Sequence, residues 1–262
     1  MSEPSTVSGL IAALQASQDR LATTLGGLDD QQATLPSYDD GWTIADVASH
    51  LGSSAVIFTG HLASGRDGGP AAGPDVNQAV WDEWDAKDPA AQVRDTVTAN
   101  QTFLTGVDAL TDQEREAWRL DLFGMDLDLA GFLQMRTGEH VLHTWDITVA
   151  LDPASTIPAD HAAHTLANLP MVAGWSGQKN DEEISVEVRT TDPERAFHLD
   201  LGPGGVGLAP SSDDTAASAE LRLPTEAFVR LVYGRLDAEH TPDDVSVEGV
   251  DLDLLRRTLP GI

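Results

Sequence analysis

The first 150 residues carry apolar positions at helical spacing. Leu10, Leu14, Leu21 and Leu25 recur four, seven and four apart and predict a helix that stops at Gly26-Gly27. A second helix is expected after Trp42. Thr43 and Asp46 form a capping-box pattern with Asp in place of Glu, and Val47, Leu51, Ile57 and Leu62 carry the apolar face to about Ser64. GRDGGPAAGP reads as a loop, VNQAVWDEWDAKD as a short helix within the connection, and residues 90–110 as a third long helix. Residues 126–150 make the fourth. Four long helices with short or moderate connections predict an up-and-down bundle, an architecture whose metal sites form in the core from facing helices.

The pattern changes after LDPASTIP, a linker with two prolines. Residues 159–175 read as one more helix. EISVEVRT, RAFHLDL, GGVGLAP and ASAELRLP follow, short alternating segments divided by Gly, Pro and Asp, the signature of antiparallel strands. PTEAFVRLVYGRL is expected to be helical, DVSVEG a last strand and DLDLLRRTL a terminal helix. The fold class expected is therefore α+β in two domains: a four-helix bundle over 1–152 and a small α+β domain over 153–262.

Composition removes several functions. A formal charge of −28 over 262 residues opposes binding to nucleic acid or to anionic membranes. No apolar run approaches the ~20 residues needed to span a bilayer, and MSEPSTVSGL has neither the basic start nor the apolar core of a signal peptide, so a cytoplasmic protein is expected. There is no cysteine, so any thiol chemistry must use a thiol from outside the chain. Arginine outnumbers lysine 13 to 2. In so acidic a chain, an arginine near a pocket is the natural anchor for an anionic ligand.

Three residues then stand out. Glu139 and His143, four apart in RTGEHVLHTWDITVAL, share one helical face. His50 lies on the second amphipathic helix. Two imidazoles and a carboxylate from two helices make a three-ligand set for Zn²⁺ or a similar divalent ion, with the open position typical of catalytic zinc. Arg136, Glu139, His143 and Asp146 form one stripe. Asp146 could orient His143 or lie solvated, and Arg136 could pair with Glu139 or Asp46. His140 is turned about 100° away from Glu139, toward solvent or packing. His161 and His164 read as surface residues. Trp81 and Trp84 are expected to pack between helices, with the cover of a pocket mouth as their other reading.

W-T-x-x-D-V-x-x-H-L over 42–51 and R-x-x-E-x-x-x-H-x-x-D over 136–146 resemble the mycothiol-dependent maleylpyruvate isomerase family, part of the wider DinB-like four-helix metalloproteins. The likeness extends to the second half, which resembles a sterol-carrier-like domain and has a matching Gly234-Arg235 pair. The resemblance implies zinc at His50, Glu139 and His143, with His50 part of the catalytic centre. It also implies mycothiol as thiol cofactor and Arg235 as an essential catalytic and cofactor-binding arginine that anchors a carboxylate across the interdomain cleft. The partners it implies are a low-molecular-weight thiol and a small electrophile, with the protein a monomer or weak dimer.

An open zinc position gives a bound thiolate at neutral pH. Addition to an activated double bond followed by expulsion is cis–trans isomerisation; retention of the adduct is S-transfer. A zinc hydrolase using metal-bound water and a non-catalytic ligand-binding protein are the rival readings from other classes.

Overall fold

The computed structural model describes residues 6–211 and 217–261, which divide into two compact units, one running to Thr156 and the other starting at Ile157. The two units have the expected α+β character, helices first and a sheet-containing part second.

The first unit contains α1 (Val7–Gly26), α2 (Asp30–Ala33), α3 (Ile44–Asp67), α4 (Pro74–Asp85), α5 (Pro89–Asp108), α6 (Asp112–Ala117), a hairpin of β1 (Arg119–Leu122) and β2 (Met125–Asp128), and α7 (Leu129–Leu151). The four long helices are α1, α3, α5 and α7. The start of α3 is the anticipated capping box: Thr43 accepts from the Asp46 N–H, and Asp46 accepts from the Thr43 N–H. Its end runs three residues beyond Ser64, to a left-handed Gly68 at φ 70°. Small residues along α3 let large ones in. A Cβ on Gly52 would lie 2.1 Å from the Trp84 ring, and one on Gly65 would lie 2.2 Å from Trp118. Trp118 also donates its indole N–H to the Leu62 carbonyl at 2.8 Å. Phe58, Phe103, Phe132 and Trp118 fill the end of the bundle to which the hairpin adds Leu120 and Leu122.

The fourth helix begins later than the 126–150 span expected. Residues 119–128 pair as a two-stranded hairpin, turning through Phe123 and Gly124, both at positive φ. Asp128 then caps α7 by accepting from the Gly131 N–H at 2.8 Å.

The second unit opens with α8 (Ala159–Thr165), a 3₁₀ turn (Leu166–Asn168) and α9 (Leu169–Ser176). The single helix expected over 159–175 is thus broken. Pro170 lacks the N–H that a continuous helix needs there and sits instead in the first turn of α9. His161 is buried at 5% exposure rather than on the surface, because α8 packs against a later helix, α10 (Thr225–Val232).

The sheet comprises β3 (Ile184–Thr191), β4 (Arg195–Gly202), β5 (Gly205–Pro210), β6 (Ala219–Pro224) and β7 (Ser246–Glu248) in the order β5-β4-β3-β6-β7. All neighbours are antiparallel except β3 and β6, which run parallel with α10 following β6. Val186, Val188, Leu199 and Leu221 form the covered face, where Phe197 meets Phe228 of α10 at 5.2 Å between ring centroids. A last helix, α11, spans Leu252–Thr258.

Candidate metal centre

His50 comes from the middle of α3, and Glu139 and His143 from successive turns of α7. His50 Nε2 lies 3.3 Å from Glu139 Oε2, and His143 Nε2 lies 3.8 Å from the same oxygen. One ligand atom from each of the three falls within 4.8 Å of the others. The two imidazole centroids are 4.6 Å apart in an edge-on arrangement. Two donors about 2.0–2.1 Å from a tetrahedral ion lie roughly 3.4 Å from each other. The two spacings to Glu139 are of that size, and the donors are the nitrogen and oxygen types that divalent zinc accepts. The residues therefore fit such an ion.

The other side of His143 is also built. Its Nδ1 lies 2.8 Å from Asp146 Oδ2 and 3.3 Å from Asp39 Oδ2. Asp39, His143 and Asp146 themselves form a compact donor group. A carboxylate on Nδ1 fixes the tautomer and ring plane and turns Nε2 toward Glu139, the usual outer support of a ligating histidine. Of the two readings open for Asp146, the orienting one holds: it is fully buried on α7.

Asp39 has no periodic signal in the sequence. A loop delivers it: Pro36 bridges Thr43, Ser37 N–H donates to the Trp42 carbonyl at 2.8 Å, and Tyr38 N–H donates to the Asp146 carbonyl at 3.2 Å. Tyr38 also packs against Trp145 with its ring tilted, centroids 4.8 Å apart. The acidic pair in SYDDGW, just ahead of a capped helix, is the only hint the sequence offers.

The charges respond to this crowding. Burial penalises the Glu139 carboxylate, but its contact with His50 and the positive charges of His143, His50 and Arg136 outweigh that penalty and hold it down at about 2. Burial likewise disfavours a charged His143, yet the bonds to Asp146 and Asp39 and the negative charges of Asp146 and Glu139 raise it to about 9. Without an ion, the site is thus a carboxylate facing an imidazolium.

Arg136 differs from expectation. It ion-pairs with neither Glu139 nor Asp46 among the described residues. Its guanidinium is fully buried, donates to the Leu51 carbonyl at 3.1 Å and to Asn100 Oδ1 at 2.5 Å, and lies over the rings of Phe58 and Phe103. Burial lowers it to about 10, and Glu139 partly offsets this. His140 takes the packing alternative: it is buried between Ser17, whose Oγ is 2.8 Å from Nδ1, and Gln18, so it ties α1 to α7. The two tryptophans part company. Trp84 is buried against Gly52, while Trp81 is 40% exposed and lines a cleft with Trp42, Asp46 and His50.

Arg235 belongs to the second unit. It follows Gly234, whose φ of 73° ends α10. It is 4% exposed, and its Nη1 donates to the Tyr233 carbonyl at 2.9 Å.

A helical unit with a convergent histidine–carboxylate–histidine set, followed by an α+β unit, defines the class. Residues 14–148 match the mycothiol maleylpyruvate isomerase N-terminal domain, and residues 156–256 match the C-terminal domain of the same family. The chain belongs to the mycothiol-dependent maleylpyruvate isomerase family, a family of enzymes. A crystal structure of the mycothiol-dependent maleylpyruvate isomerase superposes with a TM-score of 0.67 at 14% identity, covering 94% of this chain and 95% of that one. A crystal structure of a histidine-to-alanine mutant of that enzyme gives the same values. No curated protein matches the chain by sequence. No helix among the described residues is long and apolar enough to cross a membrane.

Proposed function

We propose that this protein is a mycothiol-dependent metalloenzyme in which His50, Glu139 and His143 hold zinc or a similar divalent ion. Its reaction is thiol addition to a small electrophile, as a maleylpyruvate-type cis–trans isomerase or a mycothiol S-transferase. The observation that carries the reading is the convergence of three donor atoms within 4.8 Å, with the outer nitrogen of His143 engaged by Asp146. Family membership supports mycothiol as the thiol, and the absence of cysteine requires the thiol to come from outside.

When bound, the ion supplies acidity: it lowers the pKa of a thiol in its open position, so that a nucleophilic thiolate is available near neutral pH. The chain's residues do the rest. Glu139 stays ionised and contributes the negative charge of the donor set. Asp146 and Asp39 keep the proton of His143 on Nδ1, leaving Nε2 as a lone-pair donor. Trp42, with its ring centroid 5.6 Å from that of His50, shields one side of that imidazole. Arg235 is the proposed anchor for an anionic group of substrate or cofactor. Its support is its place within the matched C-terminal region and the planar fork of its guanidinium.

Metal analysis tests the centre. The purified protein should hold about one zinc per chain, and His50→Ala and His143→Ala should each lose most of it, because one of three ligands is gone. Full zinc retention in both variants sinks the assignment. Turnover of maleylpyruvate, or conjugation of model electrophiles, should require added mycothiol. Thiol-independent turnover at a filled zinc site would instead point to a hydrolase.

A further inference from the structure

Arg136 belongs to the stripe of Glu139, His143 and Asp146, yet the metal reading leaves it without a task, and its surroundings are unfavourable for a charge. Its side chain is fully buried. Nη2 donates to the Leu51 carbonyl at 3.1 Å and to Asn100 Oδ1 at 2.5 Å, and both acceptors are neutral. Nε and Nη1 are buried and meet no acceptor. The rings of Phe58 and Phe103, with centroids 5.4 and 6.0 Å from the guanidinium carbon, make up its remaining contact. No carboxylate pairs with it among the described residues. Burial lowers its pKa only to about 10, so it stays charged at neutral pH.

A buried charge with no counter-charge destabilises a fold, and an apolar side chain of similar volume commonly does better in its place. The position of this one gives it a use. Leu51, whose carbonyl it binds, follows His50 in α3, and Glu139 lies one turn further along α7. The guanidinium therefore sits where α3 meets α7, next to the turns that supply His50 and Glu139. Its charge and that of Glu139 act on each other. With no carboxylate to quench it and little water to screen it, the same field reaches a cation held by His50, Glu139 and His143, and repels it. We propose that Arg136 is the fixed cation of the centre: it offsets the charge of Glu139 and holds the site's affinity for a divalent ion below what the three ligands alone would give. The inference rests on the metal reading above. A positive charge at this place also favours the anionic form of a protic group in the fourth position.

The test is the zinc affinity of the full-length protein, measured by competition with a chromophoric chelator. Arg136→Met removes the charge and keeps much of the volume. Asn100→Asp leaves the guanidinium in place and puts a counter-charge on the side chain that already accepts from it. That exchange gives up the Asn100 amide's bond to the Thr96 carbonyl at 3.0 Å. Each variant should bind zinc at least about fivefold more tightly than the wild type, because one repelling charge near a buried ion is removed or paired. The sign is the discriminator: lost packing, or a loosened junction of α3 and α7, would disorder the ligands and weaken zinc binding. A folded variant with wild-type or weaker affinity overturns the proposal and leaves the metal centre standing. Failure of both variants to fold also overturns it, since the guanidinium then serves the bundle alone. A wild-type protein that binds no zinc removes the metal reading and this inference together.

Discussion

Asp146 Oδ2 stands 2.8 Å from His143 Nδ1, one turn further along the same helix and fully buried. The pair is held at both ends. The imidazole also meets Asp39, and the backbone carbonyl of Asp146 accepts from Tyr38 of the loop that carries Asp39. Asp146→Asn keeps the shape but removes the charge that fixes the His143 tautomer. It should weaken zinc affinity roughly 10–100-fold. Competition against a chromophoric chelator measures this; an unchanged affinity would mean that the carboxylate does not support a ligand.

The same contacts set a pH dependence for the metal-free protein. His143 is raised from 6.5 to about 9, so the folded state holds its proton more tightly than the unfolded chain does. That stabilisation is fully present below pH 6.5 and is lost as pH rises through about 9. Glu139 is depressed from 4.5 to about 2, so its contribution is present above pH 4.5 and is lost as pH falls through about 2. The chelated protein should therefore lose denaturation midpoint between pH 6.5 and 9, and His143→Gln should flatten that limb. Zinc competes with the same proton, so its apparent affinity should rise with pH across this window and level off above about 9. A zinc affinity independent of pH between 7 and 8.5 would contradict the raised His143.

Much of the centre was legible before the structure because helical periodicity is local. Glu139 and His143 share a face by spacing alone, and Thr43 with Asp46 announces the start of the helix that carries His50. What escaped depends on tertiary closure. Asp39 reaches His143 only because the Pro36–Thr43 bridge and the Tyr38 bond fold its loop back. The hairpin over 119–128 does alternate, but its Phe-Gly turn lacks the usual Asn-Gly signal and its strands are four residues each. His161 is buried by a partner helix more than sixty residues later. Arg136 reads as an ion-pair partner for Glu139 or Asp46, yet Asn100 and two phenylalanine rings house its guanidinium. Both are cases of packing overriding a residue's ordinary preference.

Arg235 carries the kinetic prediction for the second unit. Arg235→Ala should leave zinc content unchanged and lower kcat/KM by at least about tenfold, a loss of about 1.4 kcal/mol of transition-state stabilisation. Arg235→Lys should not restore it, since lysine keeps the charge but not the planar fork. The arginine is buried and bonded to the Tyr233 carbonyl, so a purely structural role predicts a different pattern: a lowered denaturation midpoint with kcat/KM intact for the folded fraction. Wild-type kinetics in the alanine variant would remove Arg235 from the reaction.

The glycine before it has a separate, purely conformational reason to be there. Gly234 takes φ 73°, and a Cβ built on it would lie 2.0 Å from the Pro260 carbonyl oxygen. Gly261 mirrors it at φ 79°, its Cβ position 2.0 Å from the Tyr233 oxygen. Two backbones thus cross where neither tolerates a side chain, and this contact fastens the segment after α11 to the turn that presents Arg235. Gly234→Ala meets both a left-handed backbone and an immovable carbonyl, and should cost at least about 1–3 kcal/mol. Gly174, inside α9 with nothing within 4 Å of its Cβ position, is the control. Gly174→Ala should be neutral or stabilise by roughly 0.5–1 kcal/mol, because alanine is the better helix former. Urea denaturation of the two variants separates the cases: an equal, small effect at both positions would show that the Gly234 crossing is looser than its geometry implies.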